Sequence, residues 1–433
     1  MIGFPGKKQL QGETAYITAL FLSSGFLLGL ASAQVPSPPP LPITQTISIS
    51  QFGAKGDGQT DDTKPFLAAI TAAANAGARL QLGNGTYLLT GTLRIPKTKN
   101  PISITGGEFT KLLFAADHPL DYGFVIADNS GVELSSLTIH GSGAGLAHAI
   151  NVIDSTDIRL DHLQIESIHG KGVLALAAIL LGADDQVWIT NNTFTDIGAG
   201  AGKPAFVIEN YYKKHSERIY IEHNQMSGNT AYIVIGMFDT EHSVIENNTI
   251  DGGNICIERC NNNGYGVLFY LADSHGFPPG HAPKIVGDTV IGNRITNTAG
   301  SGIYLAGVAD AEVFNNTITQ STLQMDDSSL PGCAIALNGA DNAHIYDNIV
   351  RSDGKGGICL ATTNDTLIER NQIHDSRKWG IHLRVKQVRT TIRDNTIDGA
   401  PVGVLMEHDA ADTELDNNVQ TRVPQMIKHN PGH

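Results

Sequence analysis

NNTI at 315–318, DNIV at 347–350, RNQI at 370–373 and DNTI at 394–397 are one phrase written four times. Working outward, it returns as NNTF from Asn191, HNQM from His223, NNTI from Asn247, GNRI from Gly292 and DNNV from Asp416. The asparagines that read as being in register are Asn192, Asn224, Asn248, Asn293, Asn316, Asn348, Asn371, Asn395 and Asn417. Their spacings are 32, 24, 45, 23, 32, 23, 24 and 22 residues. A unit of 22–24 residues, stretched at a few places, marks a solenoid in which each repeat is one turn of chain. Asparagine tolerates the left-handed backbone of a tight corner, and its amide can bond to like amides above and below. These asparagines therefore read as structural.

A second marker keeps the same register. Short apolar phrases precede the asparagines: GIYL from Gly302, AIAL from Ala334, GICL from Gly357, GIHL from Gly380 and GVLM from Gly403. Thirteen residues separate Ile303 from Asn316, Ile335 from Asn348, Ile358 from Asn371 and Val404 from Asn417, and 14 separate Ile381 from Asn395. The 13 persists from Ile179 to Asn192, and from Phe124 to Leu137 and Ile150 to Leu163, with leucine in the asparagine slot. Short strands at a fixed offset, with no helical periodicity between them, predict coils of about three strands stacked ~4.8 Å apart. Alternation along a strand puts Ile303, Ile335, Ile358 and Ile381 inside. It puts Val125, Asn151, Leu180, Val234, Tyr304, Ala336, Cys359, His382 and Leu405 in one outward column.

Composition agrees with a solenoid. The 433 residues include 47 glycines, are 17% charged and carry a net charge of −14. Residues 1–33 read as a secretory signal, with Lys7 and Lys8, an apolar run to Leu30 and an Ala31-Ser32-Ala33 cleavage motif. Residues 34–45 read as a proline-rich linker, 46–425 as the solenoid and 426–433 as a tail. The expected location is secreted or periplasmic, with no membrane contact once the signal is removed. Of four cysteines, Cys256 and Cys260 form the local candidate pair. Cys333 and Cys359 sit at different registers of neighbouring coils, so no bridge is expected between them. Phe66, Ile70 and Ala73 fall on one face of a helix over 62–76 ended by Gly77, placed to cover the open end of the first coil. The glycine-rich GAKGDG lacks the ending of a phosphate loop.

FGAKGDGQTDD from Phe52, the alanine-rich helix, GNGTYLL from Gly83 and the NNTI phrases together resemble the pectate-lyase superfamily. The resemblance covers roughly residues 46–420. It implies an all-β, right-handed parallel β-helix, here of about ten or eleven coils with an N-terminal capping helix. It also implies a polysaccharide or oligosaccharide partner, although fold alone does not name a reaction.

Two regions carry candidate chemistry. Between Phe206 and His281 the coil spacing swells, and long loops on a rigid scaffold are where function concentrates. Lys213, His215, Asp239, His242 and Tyr270 are the expected catalytic residues here, with Tyr212, Lys214, Glu241 and His275 binding substrate. The second region, His374 to Arg393, is locally basic in an acidic chain, and Trp379, His382 and Arg384 are expected to hold an anionic sugar. About six coils, roughly 29 Å, separate the two.

Elimination or epimerisation at a uronic acid needs the carboxylate neutralised, a base for the C5 proton and an acid. Lysine, arginine, histidine and tyrosine fill these roles. Lys213, Lys214, His215, Tyr212, His242 and Tyr270 supply them, so a lyase or epimerase is the first reading. GMFDTEH, from Gly236 to His242, is loosely similar to the YGFDPH strand of mannuronan C5-epimerases. The alternatives are a glycoside hydrolase using two of Asp239, Glu241, Glu258 and Asp273, or a non-catalytic glycan-binding solenoid. Calcium would require several outward carboxylates on adjacent strands. The columns lack them, so no cofactor is expected, with calcium as the one candidate. The acidic balance argues against nucleic acid.

Overall fold

The computed structural model describes residues 35–143, 145–170, 176–198, 205–211, 214–229, 231–253, 264–272, 285–322, 332–351, 354–384, 387–407 and 410–429. Three long parallel sheets of 15, 14 and 13 strands run side by side, and each turn of chain contributes one strand to each in succession. The stack is thus somewhat longer than ten or eleven coils. Parallel strands buried on the inner face need near-continuous branched side chains. Ile303, Ile335, Ile358 and Ile381 lie in register on neighbouring strands of the third sheet and are fully buried, as their spacing predicts.

The corner between the first and second sheets is made by the asparagine phrase. The residue before each ladder asparagine takes the left-handed conformation: Asn191, His223, Asn247, Gly292, Asn315, Asp347, Arg370, Asp394 and Asn417 all have φ between 48° and 65°. The next residue turns inward. From Asn192 to Asn395, each backbone N–H donates to the side-chain oxygen of the asparagine one coil on, at 2.9–3.1 Å. Each amide nitrogen also donates to a buried carbonyl, as Asn316 does to Val290 at 2.8 Å. The ladder ends on Asn418 and not Asn417, because Asn417 occupies the left-handed position. At its other end Leu163 donates its N–H to Asn192, so leucine closes the ladder where the amides stop.

The helix Thr63–Ala76 buries Phe66, Ile70 and Ala73 and ends on a left-handed Gly77. It packs against the first strands of the stack. Asp62, at its start, accepts hydrogen bonds from the N–H groups of Lys55 and Gly56, which closes the GAKGDG loop onto the helix. Trp188 donates its indole N–H to the Pro36 carbonyl at 2.7 Å, and the Val35 N–H donates to Glu246, so the start of the proline-rich segment lies on the outer face of the first sheet. No helix among the described residues is long and apolar enough to cross a membrane.

Two expectations are corrected. Cys333 and Cys359 form a disulfide with their Cα atoms 5.7 Å apart. Cys333 pairs with Gly356 and Cys359 with Ala336, so the two cysteines are diagonal neighbours on adjacent strands, and a diagonal is within reach of a bridge. Cys256 and Cys260 lie outside the described residues. Val234 packs in the core, and the outward column passes through Gly236.

Candidate active site

The strands Leu176–Leu181, Ala205–Asn210, Ile233–Phe238, Tyr265–Tyr270 and Ile303–Ala306 are consecutive in the third sheet. Pairing aligns Leu180, Glu209, Gly236, Leu268 and Tyr304 in one outward row. A second row, nearer the strand starts, holds Ala177, Phe206, Ile233 and Tyr265. Ala177, Phe206, Ile233, Tyr265 and Leu268 form an apolar cluster separate from the core, with Leu180, Tyr232, Phe238 and Tyr304 packed on it. The rings meet edge-on or tilted: Phe206 with Phe238 at 6.0 Å, Phe238 with Tyr270 at 6.1 Å and Tyr265 with Tyr304 at 5.1 Å.

Glu209 stands inside this aromatic surface. It is 3% exposed, and its Oε2 has no hydrogen-bond partner among the described residues. Burial alone pushes its carboxyl up from the ordinary 4.5 to about 8, so it carries a proton at neutral pH. The neighbouring position must be glycine: a Cβ on Gly236 would lie 2.9 Å from the Phe206 ring and 3.1 Å from that of Phe238. The two phenyl rings thus close over the strand beside Glu209. Burial also raises the phenols of Tyr265 and Tyr304, which keeps them protonated. Glu209 is the one carboxyl at the described outward positions of these five strands.

The expected site residues disperse around this centre. Tyr270 joins it, 41% exposed at its edge. Asp239 follows Phe238 but turns into the corner, where its carboxylate accepts the Ala272 N–H at 2.8 Å. His242 lies at the next corner, its ring against Gly287, whose added Cβ would come 2.5 Å from Nδ1. His215 sits 3.8 Å from Glu241 and 3.5 Å from Glu217. Lys214 reaches Asp154 at 3.4 Å. Tyr212, Lys213 and His275 lie outside the described residues.

His215, Glu217 and Glu241 are the one metal-like grouping among the described residues. The donors do not suit calcium, which takes six or more oxygens. Here an imidazole supplies one of three atoms, and Glu217 is engaged with Arg218.

Further along the sheet, six strands from Glu209, Trp379 and His382 meet with ring centres 4.4 Å apart. His382 shares a hydrogen bond with Glu407 at 2.9 Å, and Arg384 follows on the same strand line. The basic cluster read from the sequence divides here. Arg389 pairs with Asp365 and Arg393 with Glu369, both off the third sheet, while Lys378 lies over the Trp379 ring and Arg384 follows His382 at the end of the strand.

Glu209 lies within the swollen stretch from Phe206 to His281, but sequence spacing does not single it out as the centre. The 13-residue offset fails there, since Ile208 precedes Asn224 by 16 residues, and so its outward register was lost.

Comparison with known proteins bears on the fold and the family. A family model described as rhamnogalacturonase A/epimerase, pectate lyase-like matches residues 46–268, and one described as a right-handed β-helix region matches 260–419. A probable glucan endo-1,3-beta-glucosidase of Arthroderma benhamiae is 36% identical over 109 residues, covering 23% of this chain and 12% of that protein. The chain spans a fifth or less of the curated relatives it matches. Among solved structures, the surface adhesin PfbA of Streptococcus pneumoniae aligns with a TM-score of 0.58 at 16% identity, covering 89% of this chain and 93% of the adhesin. The mannuronan C-5 epimerase AlgE4 A-module of Azotobacter vinelandii aligns with a TM-score of 0.55 at 16% identity, covering 89% and 98%. At these identities the likeness is one of fold.

Proposed function

We propose that this chain, which belongs to the rhamnogalacturonase A/epimerase, pectate lyase-like family, acts on a polysaccharide containing uronic acid and uses Glu209 as its acid. The observation that carries the proposal is the buried, protonated Glu209 carboxyl on an aromatic outward surface. Sugar rings present apolar C–H faces that aromatic side chains accept. A carboxyl kept neutral by an apolar site can donate a hydrogen bond to a sugar carboxylate or a proton to a leaving oxygen. Lyase or epimerase chemistry is favoured over hydrolysis because hydrolysis takes two carboxyl groups about 5–10 Å apart. The described outward positions around Glu209 offer one, together with several phenols. In elimination a base takes the proton at C5, the glycosidic oxygen at C4 departs with a proton, and a C4–C5 double bond remains. In epimerisation the proton returns to the other face of C5. Tyr270, the accessible phenol, and the expected Lys213, His215, Asp239 and His242 are the candidate bases. With this reading go a cleaved leader at 1–33 and an extracellular or periplasmic site of action.

The reaction supports a direct test. The protein is incubated with uronate polymers and neutral polysaccharides while ultraviolet absorbance, reducing ends and C5 stereochemistry are followed. Turnover of a uronate polymer with rising absorbance or inverted C5, lost by about 10²–10⁴-fold in Glu209→Gln, is the expected result. Reducing ends without absorbance would give the site to a hydrolase. Full activity in Glu209→Gln would remove Glu209 from the chemistry.

A further inference from the structure

We propose that Trp379, His382, Arg384 and Glu407 form a second carbohydrate subsite on the same sheet, selective for a sugar that bears a carboxylate. The inference draws on the reading of Glu209 only for the polymer that would join the two sites, and its own chemistry stands apart.

The site is built from the sheet outward. Gly356 makes room for the indole: an added Cβ there would lie 2.4 Å from Trp379 Nε1 and 2.5 Å from Cys333 Sγ. Trp379 donates its N–H to that sulfur at 3.4 Å, so the Cys333–Cys359 bridge anchors the ring from below. Lys378 holds its ammonium 5.7 Å from the ring centre. His382 is 3% exposed. Its Nε2 meets the Glu407 carboxylate at 2.9 Å, which makes Nε2 the protonated nitrogen and leaves Nδ1 as a bare acceptor. Nδ1 has no partner among the described residues, and neither has the buried Nε of Arg384. Burial lowers the imidazole to about 4, which keeps it neutral.

Two buried polar atoms of opposite character have no partner among the described residues: an acceptor on the imidazole that meets the indole, and a donor on Arg384, whose charge acts on that imidazole. Buried polar groups left unmatched are costly, and a ligand that completes them is selected by that cost. A sugar hydroxyl donates to His382 Nδ1. A carboxylate accepts from the Arg384 guanidinium, whose planar fork fits it. The indole takes the C–H face of the pyranose. A neutral hexose satisfies the imidazole and the indole but leaves the guanidinium unmatched. Glu407 faces the imidazole and so orients it, and Lys378 adds a second cation beside the ring.

Tryptophan fluorescence isolates this site, because the chain has only two tryptophans and Trp188 lies on the first sheet. In a Trp188→Phe protein, emission from Trp379 is titrated with dimers to tetramers of galacturonate, mannuronate or glucuronate, and with the matched neutral oligomers. At least one uronate series should change the emission saturably and bind about tenfold or more tighter than its neutral counterpart. Arg384→Gln and Arg384→Ala should each abolish that preference while their melting temperatures stay close to the parent's. The proposal is overturned if no uronate gives a saturable change, if neutral oligomers bind as well, or if both Arg384 variants keep the preference. Uronate binding at Trp379 in a protein that turns over no polymer would remove the reading of Glu209 and leave this subsite standing. Turnover lost in Glu209→Gln without binding at Trp379 would do the reverse.

Discussion

Replacing Glu209 by glutamine should stabilise the protein, and by more as the solution becomes alkaline. The folded state holds this carboxyl at about 8, whereas the unfolded chain releases the proton near the ordinary 4.5. The fold therefore binds a proton that the unfolded chain gives up. Its stability is fully present below about pH 4.5 and is lost as pH rises through about 8. At about 1.4 kcal/mol per pH unit, the whole interval is worth on the order of 3–5 kcal/mol. Glutamine keeps the shape and does not ionise, so the variant escapes the loss. The assay compares denaturant midpoints of the two proteins at about pH 5 and about pH 9. The advantage of Glu209→Gln should be small at the lower pH and several kcal/mol at the higher. Asp184, raised to about 7 by burial, and the wholly buried Asp288, also raised well above the ordinary carboxylate range by burial, weaken both proteins in the same direction and cancel in the comparison. Equal pH dependence in the two proteins would mean that Glu209 is ionised in the fold, and the general-acid argument would fall with it. A gain in stability coupled to a loss of turnover is the signature expected of a residue held in a costly environment for its chemistry.

Three further outcomes follow from the packing. Asn316→Ala should cost about 2–6 kcal/mol in unfolding experiments, since it strands the Asn293 N–H and the Val290 carbonyl in the dry interior at about 1–3 kcal/mol each; a loss under about 0.5 kcal/mol would show that water reaches the ladder. Ile358→Asp should unfold the neighbouring coils at neutral pH, because an unpaired carboxylate in the core costs several kcal/mol, and an unchanged thermal melt would refute the register. Gly236→Ala should push the Phe206 and Phe238 rings off the strand and expose Glu209, bringing its titration back towards the ordinary range, as a carboxyl-resolved NMR titration would report.

The asparagine ladder was readable because it obeys a local chemical rule at a fixed spacing. A left-handed residue followed by an inward amide leaves the same two-letter mark at every coil. The one slip, Asn417 for Asn418, comes where both positions are asparagine, and only the backbone conformation separates them. The capping helix was equally plain from Phe66, Ile70, Ala73 and Gly77. The candidate site was less so. Glu209, Gly236 and Leu268 come from three coils of different length, and sequence spacing loses their alignment while strand pairing restores it. The sequence argues against the Cys333–Cys359 bridge for a related reason: the different registers that separate the two cysteines are those of a diagonal across two strands, which residue counts do not show to be within reach.

The strand pairing and the asparagine relay admit only whole turns of chain. Each turn carries its own left-handed corner and inward amide, so one can be added or excised and the relay rejoined. The separation between Glu209 and Trp379 is therefore counted in integers, each worth ~4.8 Å, and the residues at either station are untouched when the count changes. A protein built this way can regauge the length of polymer it spans as a surveyor's chain is lengthened, link by link, with neither end redesigned.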